Sequence, residues 1–174
     1  MLLKRVKTEW SYISKPNQQG KYTVTIRPDA KQQAEIEDLL QKTWEDEFGS
    51  KKSPAWFGGK KDDENGIKFV ANRNAKYIDK QGKEVENTLQ VFDIRANELK
   101  DVPNVANGAT MNLSLNAYIT EYQGKKGVSL GLQKVQLIEY SLYSGSGDEF
   151  ECEEEDDDSE DNFRPESTNK PTGL

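Results

Sequence analysis

Residues 110–142 read TMNLSLNAYITEYQGKKGVSLGLQKVQLIEYSL. Met111, Leu113, Leu115, Ala117 and Ile119 occupy every second position, and Asn112, Ser114, Asn116, Tyr118, Thr120 and Tyr122 fall between them. A strand turns successive side chains to opposite faces, so the two sets line opposite sides of one strand. The apolar side demands a core, which leaves Tyr118 and Tyr122 on the polar side facing water. Gln123-Gly124-Lys125-Lys126-Gly127 supplies two glycines for the positive φ angles of a short hairpin loop and two lysines for its tip. The return strand runs Val128, Leu130, Leu132 and then changes parity to Val135 and Leu137. A one-residue change of parity marks a β-bulge, and Gly131 is placed to ease a sharp bend there.

Upstream of this hairpin the chain alternates again. Val6 to Ile13 predicts a strand with Val6, Thr8, Trp10 and Tyr12 on one face. Lys21 to Arg27 predicts a second, with Tyr22, Val24 and Ile26 inward; Pro28 ends it, because the residue before proline avoids helix and proline lacks an N–H. Asp29 caps a helix reaching Phe48, in which Ile36, Leu40, Trp44 and Phe48 recur every fourth position and Gly49 stops the turn. That stripe packs the helix on a barrel. Ser50 to Gly66 is a long, basic, mobile loop with Trp56 and Phe57 between lysine pairs, and Asp62 to Gly66 reads as a turn rather than a calcium loop. Ile67 to Tyr77 and Thr88 to Ile94 are the remaining strands. These strands, with one helix inserted after an early pair, predict a mainly β chain, an OB-fold five-stranded Greek-key barrel, rather than a sandwich.

Charge divides the chain. Eleven of the fourteen residues from Asp148 to Asp161 are carboxylates and none is a cation, whereas residues 1–147 hold 22 basic against 19 acidic groups. Ser144-Gly145-Ser146-Gly147 is a hinge composition, and the acidic run beyond it has too little apolar surface to fold. The expected organisation is therefore a domain over 1–143 and a disordered hinge and acidic tail over 144–174. Cys152 is the single cysteine, which excludes an internal disulfide framework; its carboxylate neighbours disfavour a reactive thiolate. No apolar run approaches the ~18 residues of a membrane span, and no signal peptide is expected.

A mildly basic body with exposed aromatics suits an unpaired polyanion. Sequence-independent binding of a single strand needs cations along the backbone path and flat faces for the bases, each stacked base contributing roughly 1–3 kcal/mol. The candidate platforms are Tyr118, Tyr122, Trp56 and Phe57. The candidate backbone contacts are Lys15, Arg27, Lys51, Lys52, Lys60, Lys61, Lys68, Arg73, Lys76, Lys125 and Lys126. An extended tail spaces its carboxylates about 4 Å apart, near the ~3.4 Å per charge of a nucleic-acid strand, so it is fitted to compete with DNA for a basic groove. The chain contains no histidine, so histidine bases and ligands are absent; no cofactor or metal is expected, and the chain is not expected to be an enzyme. The alternatives are an acidic-tailed chaperone or nucleic-acid mimic and, third, a magnesium-dependent carboxylate nuclease, whose densest acids would sit in a segment too loose to hold a metal.

Several stretches together resemble the single-stranded DNA-binding proteins of short-tailed bacteriophages. They are Tyr12-Ile13-Ser14-Lys15-Pro16, the Lys21–Arg27 strand leading into a helix, Val91-Phe92-Asp93, Asp101-Val102-Pro103 and the closing hairpin. The match runs from Trp10 to Leu142 and continues in the tail. The resemblance implies an OB fold that coats single-stranded DNA in phage replication and recombination and anneals strands, in the cytoplasm of the infected host. It also implies that the tail docks on the phage DNA polymerase and helicase-primase, through Asp148, Glu149, Glu151, Glu153, Glu154, Glu155, Asp156, Asp157, Asp158, Glu160, Asp161 and Phe163. The family tail ends in an aromatic residue, whereas here Arg164 to Leu174 follow Phe163. An exposed barrel edge leaves a homodimer open.

Overall fold

The structure, a computed structural model, describes residues 1–143. The acidic residues Asp148 to Asp161, Phe163 and the Ser144–Gly147 hinge lie outside the described residues. The elements are β1 (Leu2–Tyr12), β2 (Lys21–Arg27), α1 (Ala30–Phe48), β3 (Lys61–Asp63), β4 (Gly66–Asn74), β5 (Lys76–Ile78), β6 (Glu84–Glu86), β7 (Gln90–Phe92), β8 (Thr110–Tyr122) and β9 (Lys125–Glu139). Strands β1, β2, β4, β8 and β9 form a closed five-stranded barrel. Its sheet runs β4-β2-β1-β8-β9, and a parallel pairing of Ala71 with Leu130 and Asn72 with Gly131 joins the two ends. The five-strand, one-helix barrel anticipated from the alternation is thus the fold.

The β8–β9 hairpin spans the molecule. Tyr122 pairs with Lys125, so the turn is Gln123-Gly124 alone, with φ of 51° and 77°. Two consecutive positive φ values are the backbone of a type I′ turn, whose twist matches the strands it joins. Gly127, read from sequence as part of the loop, is instead a residue of β9 opposite Thr120. Ser114 pairs with Lys134 and Leu115 with Leu132, which leaves Gln133 as the extra residue of the anticipated bulge. Because of it, Val128, Leu130, Leu132, Val135 and Leu137 all reach the interior, opposite Met111, Leu113 and Leu115. Val24, Ile26, Phe69 and Ala71 complete that core from β2 and β4.

Three readings are corrected. First, β1 begins at Leu2 rather than Val6, and two bulges interrupt its parity, with Arg5 and Trp10 at φ of 51° and 47°. Leu3, Val6 and Thr8 face the core, but the extra residue at Trp10 turns Tyr12 outward beside Thr23 and sends Ile13 inward. Second, the strand expected over Ile67–Tyr77 breaks at Ala75, whose N–H bonds to the Gly20 carbonyl; β5 then pairs with β6 in a separate two-stranded sheet. Third, the 50–66 segment contains β3 and is bonded to β9. Ala55 N–H donates to the Lys126 carbonyl, Val128 N–H to that of Trp56, and Gly58 N–H to that of Val128. None of the helices among the described residues is long and apolar enough to cross a membrane.

Helix α1 starts as anticipated, with a reciprocal capping box between Asp29 and Gln32. It lays Ile36, Leu40 and Trp44 on β8 and β9. Trp44 Nε1 donates to the Lys52 carbonyl at 2.9 Å, which ties the segment after the helix to its buried face.

At the β1–β2–β4 side, Arg27 makes a bidentate pair with Asp63, at 2.8 and 2.7 Å. Its Nε lies 3.1 Å from Glu9 Oε2, a charge contact without hydrogen-bond alignment. The Arg27 guanidinium, then the Asn65 N–H, hold the Asp63 carboxyl well below the usual carboxylate range. A depressed folded-state value means that the unfolded chain takes up the proton first. Asp63 therefore stabilises the fold fully above about pH 4, and this contribution disappears as pH falls further. Asp63→Asn is expected to lower stability at pH 7, and the gap from the parent chain is expected to narrow at pH 3. Urea unfolding at the two pH values reads this out, and an equal gap at both overturns it.

Candidate nucleic-acid interface

The outward face of the barrel is polar and aromatic because the strands alternate. Cross-strand register sets Tyr12 (β1), Thr23 (β2), Asn72 (β4), Gly131 (β9) and Asn116 (β8) in one row. Toward the hairpin tip the same face continues as Tyr118 opposite Ser129, Thr120 opposite Gly127, and Tyr122 opposite Lys125. At the other end lies the 13–20 loop, where Tyr12, Lys15, Pro16, Asn17, Gln18 and Gln19 line an open cleft. This is the part of an OB barrel, the second and third barrel strands flanked by the first and last loops, on which that architecture carries oligonucleotides.

The rings on this face are held by specific contacts. Tyr118 is half-buried, and its hydroxyl donates to Asn72 Oδ1 across the β9–β4 seam at 3.1 Å. Burial pushes the Tyr118 phenol pKa up, so the group stays neutral and remains a donor at neutral pH. Trp56 Nε1 donates to Thr120 Oγ1 at 2.7 Å, and Thr120 Oγ1 shares a hydrogen bond of 2.9 Å with Ser129 Oγ. Tyr122 is 67 % exposed, and its hydroxyl accepts from Gln123 Nε2 at 3.4 Å. Phe57 follows Trp56 but bridges to the inward-facing Val128 and packs, partly buried, against the core.

The cations sort themselves by partner. Lys125 shares the Tyr122 row, and Lys15 sits in the loop beside Tyr12. Lys126 belongs to the opposite face, where its ammonium and that of Lys52 lie 5.4 and 6.0 Å from the Phe48 ring centre; Lys51 is exposed in the same segment. Arg27 is enclosed by Glu9 and Asp63 with 13 % of its side chain exposed, so the backbone-contact role anticipated for it gives way to an internal ion-pair cluster. Lys68 approaches Asp63, Lys61 pairs with Lys68 across β3–β4, Lys60 binds Glu37 on the helix, and Lys76 lies near Glu84 and Glu86. Arg73 turns away from the face and donates to Asn87.

Sequence reasoning missed Tyr12, Thr23 and Asn72 as members of this face. Alternation alone puts Tyr12 on the same face as Val6 and Thr8, because nothing in the residue types announces the bulge at Trp10. Thr23 and Asn72 acquire their place only from the pairing of β2 with β4 and of β4 with β9. Among the described residues no group of three or more histidine, cysteine or carboxylate side chains is arranged to hold a metal ion.

Neither a protein-family model nor a curated protein matches the sequence. Solved structures do match in shape. Gp2.5, a single-stranded DNA-binding protein encoded by bacteriophage T7, superposes with a TM-score of 0.63 at 23 % identity, over 84 % of this chain and 90 % of that one. The single-stranded DNA-binding protein of bacteriophage Enc34, solved in complex with single-stranded DNA, gives 0.61 at 14 % identity, over 83 % and 88 %. A second structure of the Enc34 protein gives 0.57 at 15 %, over 84 % of each chain. Residues 1–143 therefore carry the barrel fold that these phage single-stranded DNA-binding proteins share.

Proposed function

We propose that the chain is a sequence-independent single-stranded DNA-binding protein of phage DNA replication, recombination and strand annealing. The observation that carries this reading is one outward barrel face holding Tyr12, Tyr118, Trp56 and Tyr122 in register, with Lys15 at one end and Lys125 at the other. Rings stack on any base, and no array of base-edge readers is needed for such binding. Support also comes from the shared fold of the Enc34 protein, which was solved with single-stranded DNA. Of the anticipated cations, Lys15, Lys51, Lys52, Lys61, Lys125 and Lys126 are the exposed ones that no carboxylate engages among the described residues. The acidic tail, in this reading, competes with DNA for the face and, when displaced, contacts the phage polymerase and helicase-primase.

A gel-shift titration with single-stranded DNA, duplex and RNA at two salt concentrations tests the reading. Binding is expected to favour the single strand and to weaken with salt at a log–log slope of about -0.7 per phosphate neutralised. Negligible affinity without salt dependence would favour the chaperone reading, and cleavage of the strand in magnesium the nuclease. A chain ending at Gly147 is expected to bind single strands more tightly at low salt, and unchanged affinity removes the competition.

A further inference from the structure

We infer that Gly127 and Thr120 are positioning residues that hold the Trp56 indole against β9 as a preformed base-stacking platform. The inference rests on the proposed single-strand binding and adds to it how the ring is presented.

A Cβ built on Gly127 would lie 2.5 Å from Cδ1, Cδ2 and Cε2 of Trp56 alike. These three atoms belong to the five-membered ring of the indole. A point equally close to all three lies over the face of that ring, not at its edge. One indole face is therefore pressed on the Gly127 backbone, and the other is turned away from the strand. The backbone of Gly127 is in an ordinary conformation, because no positive φ marks it among the glycines. Glycine is needed here for close approach and not for a turn.

The remaining degrees of freedom of the indole are closed by two further contacts. The hydrogen bond of Trp56 Nε1 to Thr120 Oγ1 fixes the ring's rotation about its own normal. The hydrogen bonds from Ala55 N–H to the Lys126 carbonyl and from Val128 N–H to the Trp56 carbonyl fix the backbone on either side. Thr120 and Gly127 face each other across the β8–β9 ladder, so a single cross-strand pair supplies both the floor and the latch. A ring ordered before the ligand arrives loses little conformational entropy on binding.

The test uses the full chain labelled with 15N-tryptophan, whose three indole N–H groups give separate signals. Trp56→Ala identifies the Trp56 signal. Gly127→Ala, and Thr120→Val as the variant that leaves the strand backbone untouched, are both expected to shift that signal and speed its exchange with water. Each is expected to weaken binding of a thymidine oligonucleotide about tenfold, the effect of one impaired stacking contact. On the Trp56→Ala background neither is expected to cost anything more. An unmoved indole signal in both variants, or full additivity with Trp56→Ala, overturns the seat. A parent chain whose Trp56 signal responds to both substitutions but which binds no oligonucleotide overturns the proposed function and leaves the seat standing.

Discussion

A chain carrying both Trp56→Ala and Tyr118→Ala is expected to bind single-stranded DNA roughly a thousandfold more weakly than its parent. The figure follows from about 2 kcal/mol per stacked base for two rings, at ~1.4 kcal/mol per tenfold. The two rings are the members of the face that the fold holds in place: Trp56 through Thr120 and Tyr118 through Asn72. Lysine contacts are individually smaller and are screened by salt, so the ring deletion should persist at salt concentrations where lysine variants converge on the parent. Filter binding at two salt concentrations measures it. A loss of less than about tenfold would mean that stacking is not the main source of affinity. Tyr122→Ala provides the control for folding, because that ring is largely exposed and its removal disturbs no packing.

Phe69→Ala is expected to cost about 3–5 kcal/mol of folding stability, the usual range for a buried aromatic truncated to alanine. Phe69 is fully buried and sits on β4 opposite Ile26, at the strand that closes the barrel on β9. Against a typical total of ~5–15 kcal/mol, such a loss leaves a marginal domain. Guanidinium unfolding reads it directly, and a cost under about 1 kcal/mol would place Phe69 outside a close-packed core. The functional consequence follows from topology. Asn72, three residues along the same strand, accepts the Tyr118 hydroxyl, so loosening β4 also releases one ring of the interface.

Local pattern carried much of this architecture. Alternation along 110–142 located the hairpin and the bulge at Gln133, because a period of two is imposed by the strand itself and a change of parity has few other causes. The i, i+4 stripe from Ile36 to Phe48 and the Asp29 cap located the helix for the same reason: the signal lies within one turn. Tyr118 and Tyr122 could be assigned to the outward face on this basis. Assignment failed where a residue's role depends on its partners. Arg27 looks like any basic strand residue until Glu9 and Asp63 close on it from two other segments. Phe57 and Trp56 are adjacent and similar, and only the alignment of their segment with β9 sets one against the core and the other beside Thr120.

Residue order alone determined that there would be strands, one helix, an apolar interior and a charge-divided chain, since propensity, periodicity and charge are properties of neighbouring residues. Tertiary structure decided which outward side chains form one surface. The Trp10 bulge redirects Tyr12, the β4–β9 seam brings Asn72 to Tyr118, and Gly127 becomes the floor under Trp56. Such juxtapositions join residues tens of positions apart, and only the closed barrel's register brings them together.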